Sequence, residues 1–233
     1  RTCLKWGANA ICEKPVVLNP WTLDSLVKLS EKSKLKINTI LQLRLHPTIV
    51  KLKNKIGNSP KKIYDIELTY IAPRGKWYFT SWKGDVNKSG GVATNIGVHF
   101  FDMLIWIFGD VVKCKVHKHN HDRASGYLEL KNANVKWFLS IDKDTLPKGI
   151  KTSFRSMKID DKELEFSDGF EDLHLLSYKK ILNGNGFSLN ENIKTTDLIS
   201  KIRNSKISHL KDDYHPLSKY PNKTHPFGYK VNI

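Results

Sequence analysis

The spacing of apolar residues changes along the chain, and it divides the sequence into two parts. In the first part, apolar runs at 9–12 and 37–45 predict buried strands. Apolar residues at helical spacing follow Asn19-Pro20 and His46-Pro47, so each strand is followed by a predicted helix, the second ending at Gly57. Strands and helices in alternation indicate a parallel α/β unit.

After residue 60 the pattern is dominated by strands. They are predicted at 61–72, 111–121, 124–130, 135–141, 150–159 and 162–166. Because most of these strands follow one another without a helix between them, the sheet should be mostly antiparallel. Helices are predicted at 172–182 and at 190–202, the latter capped by Asn190, and the proline-rich tail from His209 onward is predicted to be irregular.

One predicted helix, at 96–108, is apolar on all sides and is therefore expected to be buried. Gly90-Gly91 precede it, and Thr94 or Asn95 can cap it. Asn95, His99 and Asp102 are spaced by four and three residues, which would place them on one helix face. Buried polar groups are costly unless they bond to each other or to a ligand, so this face is a candidate site.

Charge and cysteine content narrow the class of protein. There are 39 Lys and Arg against 23 Asp and Glu, a net charge of +16, which raises the question of an anionic partner. The lysines are spread along the whole chain without interleaved stacking aromatics, so nucleic-acid binding is not expected. Three cysteines at unrelated spacings fit neither a disulfide framework nor a zinc site, which favours a cytoplasmic protein. No apolar run is long enough for a membrane span, and no membrane partner is expected.

Several short motifs occur in the same order as in a known protein family. Glu13-Lys14-Pro15 follows a predicted parallel strand, at the end of the sheet where ligands bind in α/β proteins. Together with Gly90-Gly91 and Asn95-Ile-Gly-Val-His99-Phe-Phe-Asp102, it resembles the signature of the glucose–fructose oxidoreductase/inositol dehydrogenase (Gfo/Idh/MocA) family. The chain is more similar still to the bacterial UDP-N-acetyl-glucosaminuronate 3-dehydrogenases of that family. The motifs that carry this closer resemblance are Gln42-Leu-Arg44-Leu-His46-Pro47, Arg74-Gly-Lys76-Trp-Tyr78, Ser81-Trp82-Lys83-Gly84, Leu173-His174 with Tyr178, and Asn183-Gly-Asn185-Gly-Phe187.

The resemblance implies an NAD-dependent dehydrogenase of the α/β class. Residues 1–45 would be the carboxyl-terminal remnant of a Rossmann domain. Residues 46–233 would form an α+β substrate domain, an open and mostly antiparallel sheet with helices on one face. That open sheet implies a homo-oligomer, either a dimer or a tetramer.

The same resemblance assigns roles to individual residues. Lys14 and His99 are the catalytic candidates, and Glu13, Lys14 and Gln42 are the cofactor-binding candidates. Asn95 stands where relatives often carry aspartate. An amide cannot accept a proton at neutral pH, so proton transfer should fall on Lys14 or His99. Burial and the like charge of nicotinamide both disfavour a charged lysine, which suits Lys14 as a base.

The predicted substrate is a UDP-N-acetyl-hexosaminuronic acid, oxidised at its C3 hydroxyl for surface-polysaccharide synthesis. Asp102 either orients His99 or is a helix-surface carboxylate. The other substrate-binding candidates are the positioning amide Asn95, cations that suit the diphosphate, and aromatic rings that could stack on uracil or sugar. The cations are Arg44, Arg74, Lys76 and Lys83, and the rings are Trp77, Tyr78 and Trp82. Two alternatives stay open: a dehydrogenase of another sugar or inositol, and a non-catalytic assembly domain.

Two further sequence patterns resemble ligand-binding motifs but are not assigned to a binding site. His117, His119 and His121 alternate on a predicted strand, a spacing that can bind metal, but the only nearby carboxylate is Asp122. Solvated strand histidines are the favoured interpretation, so no metal is expected. Gly184-Asn-Gly186 lacks the third small residue of a dinucleotide fingerprint and follows a helix, so it is interpreted as a turn.

The sequence contains no Gly-x-Gly-x-x-Gly after a predicted strand. Residues 1–7 are predicted to be the end of a helix that Gly7 terminates. The chain is therefore expected to lack the first Rossmann strands, their phosphate-binding loop and the ribose-binding acid, and to be inactive alone.

The missing loop generates a prediction about cofactor affinity. Backbone amides of that loop and of the helix after it bind the pyrophosphate, so the 233-residue chain should bind NAD weakly. Isothermal titration calorimetry of this chain with NAD measures the affinity directly. A micromolar dissociation constant would contradict the interpretation of an incomplete cofactor domain.

Overall fold

The computed structural model describes residues 1–58, 62–166 and 168–228. Its α-helices are Thr2–Lys5 (α1), Pro20–Ser33 (α2), Pro47–Gly57 (α3), Trp77–Thr80 (α4), Val86–Ser89 (α5), Gly91–Asn95 (α6), Val98–Phe108 (α7), Leu173–Leu182 (α8) and Ile193–Asn204 (α9). Its strands are Ala10–Cys12 (β1), Ile37–Thr39 (β2), Tyr64–Ile71 (β3), Val111–His119 (β4), Arg123–Leu130 (β5), Ala133–Ser140 (β6), Phe154–Ile159 (β7), Lys162–Glu163 (β8) and Phe187–Ser188 (β9). Short 3-10 helices are Gln42–Leu45, Lys143–Thr145, Leu189–Asn192 and Pro216–Lys219. The chain is thus a mixed α/β protein, as predicted.

The chain folds into two compact units that are not consecutive in sequence. The first unit comprises Arg1–Asn58, Val98–Ile107 and Phe166–Ser200. The second comprises the described residues of 59–97, Phe108–Glu165 and 201–233. The predicted family domains, 1–45 and 46–233, stay a prediction, since the packing groups α3, α8 and most of α7 and α9 with the first unit.

The first unit contains a three-stranded sheet in the order β1-β2-β9. Strands β1 and β2 are parallel, with Ala10 opposite Ile37 and Cys12 opposite Thr39, which confirms the predicted parallel unit. Strand β9 adds to β2 in antiparallel orientation and was missed because two residues are too short for a periodicity. Leu4 of α1, Leu23 and Leu26 of α2 and Leu189 pack with Ile37 in the core of this unit.

Strand β2 is shorter than the predicted 37–45. It ends at Thr39, and Gln42–Leu45 turn into a 3-10 helix. A continuous apolar run does not distinguish a strand from a buried turn of helix, which explains the error. Helix α3 begins as predicted, since Pro47 occupies its first turn and His46 Nδ1 accepts a hydrogen bond from the Thr48 amide at 3.2 Å.

The second unit contains a six-stranded sheet in the order β4-β5-β6-β3-β7-β8. Strands β3 and β6 are parallel, and the other neighbours are antiparallel, which confirms the mostly antiparallel prediction. Leu68 lies opposite Trp137 on an apolar face, whereas Glu67 lies opposite Lys136 on a polar face. The strands start and end within a few residues of their predicted bounds, and the predicted start at Lys61 lies outside the described residues.

The predicted buried helix is interrupted. Residues Gly91–Asn95 form α6, and α7 begins at Val98, after Gly97. Glycine is a poor helix former, which accounts for the break. Asn95 therefore does not share a helix with His99 and Asp102, so the prediction of three polar groups on one face was wrong for Asn95. The burial of this region was predicted correctly, because Phe101, Met103 and Leu104 have no exposed surface.

The other late elements differ from the prediction in detail. Helix α9 begins at Ile193 and is preceded by the 3-10 helix Leu189–Asn192, so Asn190 is not its cap. The tail is mostly irregular, as predicted, but His215 is buried: its ring stacks on Phe138 and its Nε2 lies 2.9 Å from the Thr69 hydroxyl oxygen. Within the described residues no single helix has the length and hydropathy of a membrane span; α5–α6 and α7 reach them only together, across a bend.

Gly126 of β5 generates a prediction about stability. A Cβ at this position would lie 2.2 Å from the Lys115 carbonyl oxygen and 2.7 Å from the buried ring of Trp137. Gly126→Ala should therefore lower the free energy of unfolding by about 1–3 kcal/mol through overpacking. Gly57→Ala is the matched control, because a Cβ there meets no atom within 4 Å. Equal midpoints of urea unfolding for the two variants would contradict the packing of this sheet.

Candidate active site

A narrow pocket in the first unit brings the two catalytic candidates together. Both Lys14 and His99 line it, and its volume is about 10 Å³, close to the space that one water molecule needs. Its walls come from the chain after β1, the chain after β2, the first turns of α7 and the start of α9: Lys14, Pro15, Val16, Leu41, Leu43, Val98, His99, Asp102, Asn192, Thr195 and Thr196.

The strand order explains why these walls meet. Parallel strands β1 and β2 end at the same edge of their sheet, so the residues that follow them converge there. Lys14 leaves β1 through a cis peptide bond to Pro15, and Leu41 and Leu43 follow β2. His99 lies in the first turn of α7, and both Lys14 and His99 are half-buried.

No sequence pattern indicated the wall provided by α9 and the 3-10 helix before it. Asn192, Thr195 and Thr196 are polar residues next to the apolar Leu198 and Ile199, a pattern that indicates an ordinary amphipathic helix. In the structure Asn192 is buried, and its amide donates to the Thr39 hydroxyl at 3.0 Å, which connects the 3-10 helix before α9 to the end of β2.

Beside the pocket, Arg44 and Asp102 form a buried ion pair. Arg44 Nε donates to Asp102 Oδ2 at 2.9 Å and Arg44 Nη2 donates to Oδ1 at 2.7 Å, a bidentate geometry. The two side chains are only 5% and 4% exposed. Arg44 Nη1 also donates to Glu191 Oε2 at 2.5 Å, and the Thr195 hydroxyl donates to Asp102 Oδ1 at 3.3 Å.

Burial and pairing act in opposite directions on these two charges. Burial tends to lower the pKa of Arg44, but its bonds to Asp102 and Glu191 outweigh this and raise the pKa above its ordinary value. Burial raises the pKa of Asp102, against the opposing effect of Arg44. The arginine therefore remains charged, and its hydrogen bonds and positive charge stabilise the ionised form of Asp102.

This geometry gives Arg44 and Asp102 different surroundings from those predicted. The Arg44 guanidinium is enclosed by its two carboxylates and by the rings of Trp106 and Phe187, with centroids at 5.8 and 5.3 Å, which does not support its assignment to a substrate diphosphate. Asp102 is not a helix-surface carboxylate, because it is 3% exposed and bonded to Arg44 and Thr195.

The two remaining cofactor candidates lie near the ends of the parallel strands. Gln42 begins the 3-10 helix after β2, and its side-chain oxygen is buried without a hydrogen-bond partner among the described residues. Glu13 follows β1, and its carboxylate lies 3.1 Å from His174 Nε2 of α8, with both side chains about half exposed. The unsatisfied acceptor at Gln42 is the kind of group that a bound ligand completes.

The remaining substrate candidates lie in the second unit. Arg74, Lys76, Trp77 and Trp82 are exposed, and Lys83 Nζ lies 5.9 Å from the ring centre of Trp82. Tyr78 differs, because it is only 1% exposed. Its hydroxyl accepts a hydrogen bond from Asn95 Nδ2 at 2.9 Å, and burial raises its pKa. Tyr78 is thus enclosed by protein, whereas the two tryptophans remain accessible for stacking.

Two of the three alternating histidines are not solvated, contrary to the prediction, whereas His121 is half-buried. His117 and His119 are buried, and a bulge between Val116 and Lys118 breaks the alternation of β4. Burial lowers the pKa of both histidines. Across the described ranges, no group of three His, Cys, Asp or Glu side chains has a geometry that could hold a metal ion.

Comparison with known proteins places these features in a family. Residues 53–145 match the model of the oxidoreductase family's C-terminal alpha/beta domain. Among curated proteins, YteT of Bacillus subtilis is 26% identical over 109 residues, which are 46% of this chain and 26% of YteT. The chain thus spans about a quarter of this relative's length.

Solved structures match over a larger share of the chain. The WlbA (WbpB) dehydrogenase of Thermus thermophilus in complex with NAD and UDP-GlcNAcA has a TM-score of 0.88 and 43% identity, covering 93% of this chain and 71% of that one. The WlbA dehydrogenase of Bordetella pertussis, in complex with NADH and UDP-GlcNAcA, has a TM-score of 0.71 at 17% identity, covering 86% and 71%. The second match is a likeness of fold.

The buried ion pair generates a stability prediction. Arg44→Met would leave Asp102 buried without its cation, so the free energy of unfolding should fall by about 3–5 kcal/mol. The double variant Arg44→Met/Asp102→Leu should recover much of that loss, since no unpaired charge remains. Lys28→Met is the control, because Lys28 pairs with Asp24 at the exposed surface of α2. Denaturant unfolding of the wild type, Arg44→Met, Asp102→Leu and the double variant measures the coupling, and independent, additive effects of the two substitutions would contradict a paired carboxylate.

Proposed function

The chain belongs to the Gfo/Idh/MocA oxidoreductase family, and on that premise we propose that the protein takes part in NAD-dependent oxidation of the C3 hydroxyl of a UDP-N-acetyl-hexosaminuronic acid. The observation that carries this proposal is the pocket shared by Lys14 and His99 at the carboxyl ends of β1 and β2. Two groups that can exchange protons at one ligand-binding edge suit the oxidation of an alcohol.

The residues at this edge fit one end of the cofactor. Gln42 offers a buried oxygen without a partner among the described residues, which suits an N–H or hydroxyl donor of a bound nicotinamide nucleoside. Glu13 and Lys14 follow the neighbouring strand at the same edge. When bound, NAD supplies the oxidant that accepts hydride from the sugar carbon. No Gly-rich phosphate loop occurs in this sequence, so the argument is limited to the nicotinamide end.

The chain's own residues handle the proton of the C3 hydroxyl. Either the Lys14 amine or the His99 imidazole accepts it as the ketone forms, and the other donates a hydrogen bond to the developing alkoxide. The apolar walls at Val16, Leu41 and Val98 exclude water, which strengthens these interactions. Asn95 bonds to Tyr78 and is proposed to position substrate rather than to transfer a proton.

The nucleotide part of the substrate is assigned to the segment 74–83. Its exposed cations Arg74 and Lys76, with the half-buried Lys83, suit a diphosphate, and exposed Trp77 and Trp82 suit stacking on uracil or sugar. The Thermus thermophilus dehydrogenase, which is 43% identical, is described in complex with NAD and UDP-GlcNAcA, which supports this substrate class. A product with a C3 ketone would suit later amination in surface-polysaccharide synthesis.

Assembly is proposed through the polar face of the second sheet. Glu67, Lys136 and Lys158 line a concave surface of about 610 Å³ on this face, and a second copy could pair with such alternating charges. Native mass spectrometry of the complete gene product would show a dimer or tetramer, whereas a monomer would contradict the proposal.

Turnover measurements test the reaction. The complete gene product should reduce NAD when UDP-N-acetylglucosaminuronate is added. Lys14→Ala and His99→Ala should each lower kcat by about 100- to 10,000-fold, because each removes a proton-transferring group. NADH absorbance follows the reaction.

A surface lysine supplies the control. Lys28→Ala should turn over normally, since Lys28 lies on the exposed face of α2. Turnover with inositol or a simple sugar but not with the UDP-sugar would favour the alternative substrate class. Normal rates in both the Lys14 and His99 variants would remove the catalytic assignment.

A further inference from the structure

The pocket is assembled from segments that are distant in sequence. Lys14 comes from the chain after β1, Leu43 from the chain after β2, His99 from α7 and Thr195 from α9. With a volume of about 10 Å³, the pocket has little tolerance for relative movement of these walls. Contacts between the four segments must therefore fix their relative positions.

Arg44 belongs to one of these segments and bonds to α7 and to the 3-10 helix that precedes α9. It follows Leu43 directly, in the 3-10 helix after β2. Its guanidinium reaches Asp102 of α7 at 2.7 and 2.9 Å, and the Glu191 carboxylate and carbonyl oxygens before α9 at 2.5 and 3.3 Å. Thr195 of α9 completes the connection by donating to Asp102.

The geometry of this cluster is directional. Asp102 is three residues after His99, so the two lie about one helical turn apart on α7 and move together. A bidentate fork fixes distance and orientation, which a single point charge does not. Arg44 is 5% exposed on its side chain and is enclosed by protein groups, so it acts on the pocket through Asp102 rather than through a ligand.

We propose that Arg44 is a positioning residue, which holds α7 through Asp102 so that His99 faces Lys14 across the pocket. The inference rests on the proposed catalytic roles of Lys14 and His99. It assigns to Arg44 a function in the reaction that is separate from its contribution to folding.

The substitution Arg44→Lys tests the proposal in the complete gene product. Lysine keeps the charge but loses the fork, so α7 should shift relative to Lys14. We expect kcat to fall about 10- to 100-fold, because a displacement of about 1 Å in a catalytic geometry can cost about 100-fold. KM for NAD and for the UDP-sugar should change by less than about threefold, since the Arg44 guanidinium is buried among protein groups.

Arg123→Lys is the matched control. Arg123 is 1% exposed on its side chain and pairs with Asp122 at 2.6 Å and Asp142 at 2.8 Å, but it lies in the second unit and does not line the pocket. It should lose stability as Arg44→Lys does, with kcat unchanged per folded enzyme. An equal loss of kcat in both variants would assign Arg44 a structural role alone.

Hydrogen exchange of the 233-residue chain provides a readout that does not depend on turnover. In Arg44→Lys, amides at 98–104 and 12–16 should exchange about tenfold faster or more, while β5 and β6 stay protected. In Arg123→Lys the pattern should be reversed. Unchanged exchange around His99 in Arg44→Lys would overturn the positioning role, whether or not the protein is active.

The two measurements separate failure of this inference from failure of the proposed function. A wild-type protein that does not oxidise UDP-sugars, combined with faster exchange around His99 in Arg44→Lys, would reject the proposed reaction and keep the positional role. Normal turnover of both wild type and Arg44→Lys would reject the positional role and keep the reaction.

Discussion

The buried pair between Arg44 and Asp102 is the interaction on which the candidate site depends. Taking two charges out of water costs several kcal/mol for each ion, and only good geometry recovers it. Here the geometry is bidentate, with a third bond from Thr195 to the carboxylate and a second carboxylate, Glu191, on the guanidinium. An apolar contact of similar size would stabilise the fold equally well. The directional ion pair additionally fixes one orientation of α7, the helix that carries His99.

The parallel strands provide the other half of this arrangement. Their carboxyl ends place Lys14 and Leu41 at one edge, and the 3-10 helix that follows β2 turns Arg44 back into the protein toward α7. The early end of β2 is therefore required for the ion pair. If the strand continued to Leu45, Arg44 would extend along the sheet and away from α7. The local backbone conformation after Thr39 thus determines both a pocket wall and its support.

The sequence predicted the elements well where local chemistry determines them. Pro20 and Pro47 marked helix starts, Gly7 and Gly57 marked helix ends, and the strands that follow one another without a helix indicated a mostly antiparallel sheet. It failed where tertiary contacts decide. The partners of Arg44 are 58 and 147 residues away, so nothing near Arg44 distinguishes a buried fork from a phosphate ligand. Likewise, His117 is buried at a bulge in β4 that no periodicity reveals.

These contacts also explain why polar residues on an apolar helix point to a site only indirectly. Burying the Asp102 carboxylate is unfavourable by itself, which predicts a direct role beside His99. In the structure Arg44 compensates that unfavourable burial, since both carboxylate oxygens of Asp102 accept hydrogen bonds from the guanidinium. His99, one turn earlier and half-buried, keeps access to the pocket. The same helix therefore has two functions along its length. His99 faces the pocket, and Asp102, one turn later, fixes the helix through Arg44 so that His99 keeps its orientation.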